Sequence, residues 1–217
     1  KRLIASNDFS FQSLKDKNVV IVGGGDTGND CVGTSIRLGA ASVVQLEMMP
    51  KPEKQRSASN PWPEWPKVFN VDYGQEEAIA KFGNDPRVYT TTIKEILSDD
   101  KGHVKSVITV LLKQQKDEKT GRMNMVAVEG SEKELKADLV LIAAGFTGAQ
   151  DYVKKAFDTE SDARGNVKAD NTNYETSRPN IFAAGDVRRG QSLVVWAMAE
   201  GRAVAKAVDK SLMGYTN

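Results

Sequence analysis

The stretch NVVIVGGGDTGNDCVGTSIRLG, residues 18–39, restricts the fold more than any other part of the chain. Asn18 to Val22 is too short for a helix and rich in β-branched side chains. It predicts a strand buried on both faces, as in parallel sheets. Gly23, Gly24 and Gly25 then turn the chain. From Asp26 to Leu38 the pattern becomes helical, and Gly39 supplies a C-terminal stop. A buried strand that runs through a glycine turn into a helix opens a βαβ unit, so the expected class is α/β.

Within this stretch Gly23, Gly25 and Gly28 are spaced G-x-G-x-x-G. After a strand and before a helix, that spacing is the fingerprint of a Rossmann-like dinucleotide-binding loop. Gly23 allows the tight turn, Gly25 lets backbone approach a pyrophosphate, and Gly28 lets helix and strand pack closely. The diphosphate would sit at the positive N-terminus of the helix, against Gly23, Gly24, Gly25, Asp26, Thr27 and Gly28. A second strand is expected over Ser42–Met48. It places Glu47 about 20 residues past Gly28, where an acid accepts hydrogen bonds from ribose hydroxyls. Glu47 favours NAD, because a carboxylate there repels the 2′-phosphate of NADP. Lys51, Lys54 and Arg56 follow and can reach such a phosphate, so NADP stays open.

Residues 49–70 hold five of the seven prolines, with Trp62 and Trp65 among them. They exclude helix and central strand, and a loop this long is expected to be functional, with Trp62 and Trp65 packed as apolar anchors, shielding the nicotinamide site or touching a partner. Tyr73–Gly83 reads as a helix, with Glu76 and Glu77 on its solvated face. Residues 87–129 read as a three-stranded antiparallel meander, with His103 exposed in a turn. Lys136–Phe146 reads as a further buried parallel strand, ending at Ala144 and Gly145. Residues 149–175 read as polar loop, Ile181–Ala184 as a last strand and Ser192–Met213 as a long helix with Ala and Val on one face, a face exposed if its partner segment is absent. The expected organisation is a lead-in over 1–17, a dinucleotide-binding domain over 18–175 and a C-terminal segment over 176–217.

Composition narrows the function classes. Lys plus Arg is 30, Asp plus Glu is 29 and the net charge is +1, which gives no basic surface for nucleic acid. No apolar run reaches the roughly 20 residues of a membrane span, and KRLIASNDFS lacks the core of a signal peptide. The single Cys31 and single His103 exclude an internal disulfide, a redox dithiol and a metal site built on these residues. An intracellular, cytoplasmic location fits. Cys31 is expected to be a small apolar residue in the first turns of the helix, with a low-pKa nucleophile as the lesser alternative. The chain begins without Met, as a piece of a longer polypeptide does.

The segment ETSRPNIFAAGDVRRGQSLVVWAMAEGRAVAKAV resembles the second FAD fingerprint of flavoproteins with two dinucleotide-binding domains. The resemblance implies that Gly185 and Asp186 meet the ribityl chain. It also implies that Ser192, Leu193, Val194 and Trp196, at a helix N-terminus, face the flavin pyrimidine edge. A positive helix end suits a reduced flavin, which carries negative charge near N1. Ala144 and Gly145 match the glycine turn that ends a strand in the same enzymes. Arg188 and Arg189 follow the aspartate and are candidates for flavin contact, partner contact or solvated charge.

Over nearly its whole length, through GGGDTGNDCVGTSIRLGA, NPWPEWPKVF, DYGQEEAIAKFGNDPR and AAGDVRRGQSLVVWAMAEGR, the chain resembles the small (β) subunit of glutamate synthase. That family implies NAD or NADP and FAD as cofactors, and hydride transfer from NAD(P)H to FAD. Electrons then pass through iron–sulfur clusters to a large (α) subunit that makes glutamate from glutamine and 2-oxoglutarate. It also implies an N-terminal FAD and iron–sulfur part, which these 217 residues do not contain. Residues 176–217 would then be half of an FAD site, and the piece is expected to be inactive alone. Hydride transfer between cofactors needs orientation and not a protein acid or base, so no catalytic side chain is expected. Two other readings fit the residues: a related flavoprotein reductase with another acceptor, and a non-catalytic NAD(H)-binding module.

Overall fold

The computed structural model describes residues 13–118 and 121–215, so residues 1–12 of the 1–17 lead-in lie outside the described residues. The strand that opens the fingerprint forms as β1 (Asn18–Val22) and leads into α1 (Asp26–Arg37). β2 (Ser42–Leu46), α2 (Tyr73–Phe82) and β3 (Arg87–Val88) follow. Then come β4 (Thr91–Ser98), β5 (Val104–Lys116), β6 (Met123–Ala127), β7 (Lys133–Lys136) and β8 (Leu139–Ile142). The parallel sheet has the order β3-β2-β1-β8, so β1 lies inside it and β8 is an edge.

The composition of β1 follows from what covers its two faces. Val19 and Ile21 pack with Val32 of α1, Ala40, Val43 and Ala78 of α2. Val20, pointing the other way, packs with Leu46, Val107 of β5 and Ala137. With helices on one face and the second sheet on the other, neither face can carry polar side chains, and the run does not alternate. Val19, Val20 and Ile21 are fully buried, which contributes roughly 1.5–3 kcal/mol each.

The second sheet is antiparallel and four-stranded, one strand more than the sequence suggested. The long β5 is its spine. Its first half pairs with β7 and its second half with β6, while β4 lies along its other side. The single strand expected over Lys136–Phe146 is shorter, β8 over Leu139–Ile142, and β7 precedes it. The break falls at Asp138, whose carboxylate accepts from the backbone N–H (2.8 Å) and side-chain amide (2.7 Å) of Asn18. These bonds fix the start of β8 beside the start of β1 and hold the Asp138 carboxyl below the usual range.

The chain divides into two compact units at Ala144/Gly145. In the second, α3 (Asp151–Phe157) occupies part of the stretch that the sequence suggested was loop. α4 (Asp186–Arg189) and α5 (Val194–Met213) follow. Ile181–Ala184 is not a strand, contrary to expectation. It makes one bridge, between Phe182 and Glu175, and a ladder needs a neighbour at successive residues. On α5 the apolar stripe is exposed and Glu200 is the one buried side chain. Among the described residues no helix is long and apolar enough to cross a membrane, and no group of His, Cys, Asp and Glu could hold a metal ion.

Candidate dinucleotide site

The glycine loop has a separate steric reason at each position. Gly23 has φ +122°, and a Cβ there would lie 2.2 Å from the carbonyl oxygen of Ala143 on the neighbouring strand. At Gly28 a Cβ would lie 2.1 Å from the Gly23 oxygen, so this glycine lets α1 close against the loop. Gly25 faces open space. It is also the N-cap of α1 and provides no side-chain hydrogen bond, which leaves the first-turn N–H groups for a ligand. Asp26 and Thr27 are exposed in that turn. Backbone donors on an open helix N-terminus, beside a position that has no side chain, fit a dinucleotide diphosphate.

Gly24 has a reason that the fingerprint does not state. A Cβ there would lie 1.7 Å from Oε2 of Glu47. The Glu47 carboxylate therefore lies against the loop, one residue past β2. Its Oε1 accepts from the Met49 N–H at 2.7 Å, which fixes the side chain and leaves Oε2 directed at the loop. A carboxylate held there can accept hydrogen bonds from hydroxyl groups. Of the basic residues beyond it, Lys51 and Arg56 have partners within the chain. The Lys51 ammonium lies 4.5 Å from the centre of the Phe69 ring. Arg56 donates to the carbonyl oxygens of Asn60 (3.2 Å) and Pro61 (3.3 Å). With Lys54 they line an open cavity of about 690 Å³ formed by residues 51–57.

The proline-rich loop is held by Asn60 and not by its tryptophans. Asn60 is buried; its amide donates to Glu64 and to the Trp65 carbonyl (3.1 and 3.0 Å) and accepts from the Lys67 N–H (2.7 Å). Trp62 and Trp65 are 83% and 85% exposed, which overturns the expectation that they pack as anchors. A compact polar knot replaces a hydrophobic one. Of the two helix-face acids, Glu76 is solvated, while Glu77 pairs with Arg37 of α1 at 2.6 Å. His103 is exposed, and Cys31 is half-buried. Burial pushes the Cys31 thiol up and the neighbouring Asp30 adds to it, so the thiol is not activated.

In the second unit Gly185 has φ +67° and leads directly into α4, whose first residue, Asp186, is exposed. Leu193 caps α5 without a side-chain hydrogen bond, and of the first-turn N–H groups that of Trp196 donates to the Leu193 carbonyl at 2.9 Å. Ser192, Leu193, Val194 and Trp196 are exposed around them or partly so. Ala144 and Gly145 are exposed, Gly145 with φ +97°. An exposed carboxylate and a nearby uncapped helix end suit the ribityl and pyrimidine parts of a flavin.

Sequence reading missed Glu200, the residue that holds this region together. Its Oε2 accepts from the Gly185 N–H at 2.8 Å, and its Oε1 accepts from Arg188 Nη2 at 2.9 Å and Arg189 Nε at 2.7 Å. Arg188 also lies over Tyr174, and Arg189 over Trp196 at 4.6 Å. The two arginines thus serve an internal clamp. Burial pushes the Glu200 carboxyl up, but the hydrogen bonds from Arg188, Gly185 and Arg189 outweigh it and hold the group below the usual range. An acid inside an Ala/Val-rich helix stripe was the available signal, since such a group must be paired.

Glutamate synthase [NADH] of Schizosaccharomyces pombe is 46% identical over 209 residues, 96% of this chain and 10% of that protein. The glutamate synthase [NADPH] small chain of Bacillus subtilis is 44% identical over 207 residues, 95% of this chain and 42% of that protein. The resemblance read from the sequence is therefore borne out, and the chain spans less than half the length of either relative. Among solved structures, thioredoxin reductase of T. acidophilum is 26% identical with a TM-score of 0.57, over 92% of this chain and 54% of that one. The family model "Pyridine nucleotide-disulphide oxidoreductase" matches residues 1–201, and the chain belongs to that family.

Proposed function

We propose that this chain is the NAD(P)H-binding module of a glutamate synthase, with residues 176–217 contributing part of its FAD site. The observation that carries the reading is the uncapped N-terminus of α1 behind a glycine loop with Glu47 against it. The likeness to two glutamate synthases over 95–96% of the chain narrows the enzyme class. When bound, the nicotinamide supplies a hydride that the flavin accepts. The protein's part is to hold the diphosphate on Gly23–Gly28, orient the ribose on Glu47 and present Asp186 and the α5 N-terminus to the flavin. Electrons would leave for the large subunit, with the N-terminal FAD and iron–sulfur part of the same protein completing the path.

Between the two nicotinamide cofactors, the arrangement favours NADH. Glu47 lies against the loop, where it repels a 2′-phosphate, while Lys51 and Arg56 are tied to Phe69 and to loop carbonyls. A paired titration with NADH and NADPH, followed by nicotinamide fluorescence, tests this. Tighter NADH binding that is lost in Glu47→Ala supports it. Tighter NADPH binding keeps the loop and overturns the assignment of Glu47. Binding of neither by the folded chain removes the reading of Gly23–Gly28.

A further inference from the structure

Gln45 is wholly buried at the centre of the parallel sheet, on β2 between β1 and β3. A primary amide there carries two donors and an acceptor into the core, where an aliphatic residue would pack without that cost. Its partners explain its presence. Gln45 Nε2 donates to the carbonyl oxygen of Gly23 at 2.9 Å. Its Oε1 accepts from Nε2 of Gln75 at 3.1 Å. Gln75, also buried, accepts with its own Oε1 from the backbone N–H of Asp72 at 2.8 Å. Asn29 of α1 braces the same corner by accepting from the Gly74 and Gln75 N–H groups at 3.0 and 3.2 Å.

The direction of this relay is set at both ends. The Asp72 N–H can only donate, so Gln75 turns its oxygen to it and its amide nitrogen to Gln45. Gln45 must then turn its oxygen to Gln75 and its nitrogen to Gly23, whose carbonyl can only accept. The consequence falls on the Gly23–Gly24 peptide. A trans peptide points its C=O and N–H in opposite directions. With the Gly23 oxygen held inward by Gln45, the Gly24 N–H is turned outward. Between two glycines this plane is the one least restrained by side chains. Flipped, it would present a carbonyl oxygen where an anion is expected.

We infer that Gln45 is a positioning residue for dinucleotide recognition. It acts through the Gly23 carbonyl, without touching the ligand, and holds the Gly24 N–H toward the diphosphate. The inference rests on the dinucleotide reading of the loop. It requires a donor at position 45, which makes it testable by charge and not only by truncation. In Gln45→Glu the protonated acid can donate to the Gly23 oxygen and accept from Gln75. The ionised acid cannot donate and repels that oxygen, and burial moves its titration above the ordinary glutamate range.

The experiment is a titration of the chain, Gln45→Glu and Gln45→Leu with NADH and NADPH from pH 5 to 9. Near-ultraviolet circular dichroism at each pH selects the conditions where each variant is folded. Gln45→Leu is expected to bind roughly tenfold more weakly at every pH, because one buried carbonyl loses its donor. For Gln45→Glu, affinity relative to the parent chain is expected to fall by a further factor of about ten as pH rises. If folded Gln45→Leu binds as tightly as the parent, the positioning role is refuted, whatever the glutamate variant does. A glutamate variant whose relative affinity is flat with pH also refutes it. A parent chain that binds neither nucleotide fails the functional reading instead, and the two failures are distinct.

Discussion

Replacing Glu200 by Ala removes the only buried carboxylate of the second unit's described residues, and its cost can be worked from what is left behind. Three partners lose their acceptor: the Gly185 N–H at 2.8 Å, Arg188 at 2.9 Å and Arg189 at 2.7 Å. Gly185 is buried, so its N–H becomes an orphan at about 1–3 kcal/mol. Arg188 is 12% exposed and stays largely desolvated without its counter-ion, whereas Arg189 is 38% exposed and recovers water. Breaking a fully buried pair costs about 3–5 kcal/mol, and the exposure of Arg189 brings the expected loss to about 3 kcal/mol. Glu200→Gln keeps an oxygen for Gly185 and should cost about half as much. The readout is denaturant unfolding followed by tryptophan fluorescence in a Trp62→Phe/Trp65→Phe background, so that Trp196, under Arg189, reports alone. The pH dependence carries a sign. The folded carboxyl is held below its ordinary value of 4.5, so its contribution is present above that pH and is lost as pH falls through the folded value. The difference between parent and Glu200→Ala should therefore shrink in acid. A loss below about 1 kcal/mol, or one that is constant down to pH 3, refutes the clamp.

Two further outcomes follow from the first unit. Asp72→Ala removes a capping-box acceptor from α2 and should cost about 1 kcal/mol in denaturant unfolding. Nucleotide affinity should not change, because the relay to Gly23 uses the Asp72 backbone N–H and not its side chain. Cys31, its thiol pushed up by burial and then by Asp30, should react with a disulfide reagent at pH 7 more slowly than free cysteine. Equal or faster reaction would reopen it as a nucleophile.

Strand β1, the glycine loop, α1 and Glu47 were legible in the sequence because local rules decide them. A five-residue β-branched run is buried on both faces, glycines accept a turn that other residues resist, and the acid lies at a fixed distance along β2. What was not legible depends on contacts remote in sequence. Gln45 reads as one polar residue in an apolar strand, and only Gly23 and Gln75 give it a purpose. Gly24 looks like spare glycine until Glu47 folds onto it. Ile181–Ala184 has the composition of a strand but not the neighbour that makes one. Arg188 and Arg189 were read as candidates for flavin contact, partner contact or solvated charge, because the sequence does not show that Glu200, nearly two helical turns along α5, faces back to meet them.

These misses share a physical cause. Apolar side chains announce burial by periodicity, since burial needs no particular partner. A buried polar side chain is tolerated only when its hydrogen bonds are met, and the partner can come from anywhere in the chain. Gln45, Gln75, Asn29, Asn60 and Glu200 are each buried and each satisfied by a loop or a helix end. Three of them, Gln45, Gln75 and Asn29, converge on the glycine loop and the helix behind it. If Gln45 aims a backbone N–H and does not merely pack the core, Gln45→Leu, which deletes both the donor to Gly23 and the acceptor of Gln75, must be read beside Gln45→Glu, whose pH dependence separates the two.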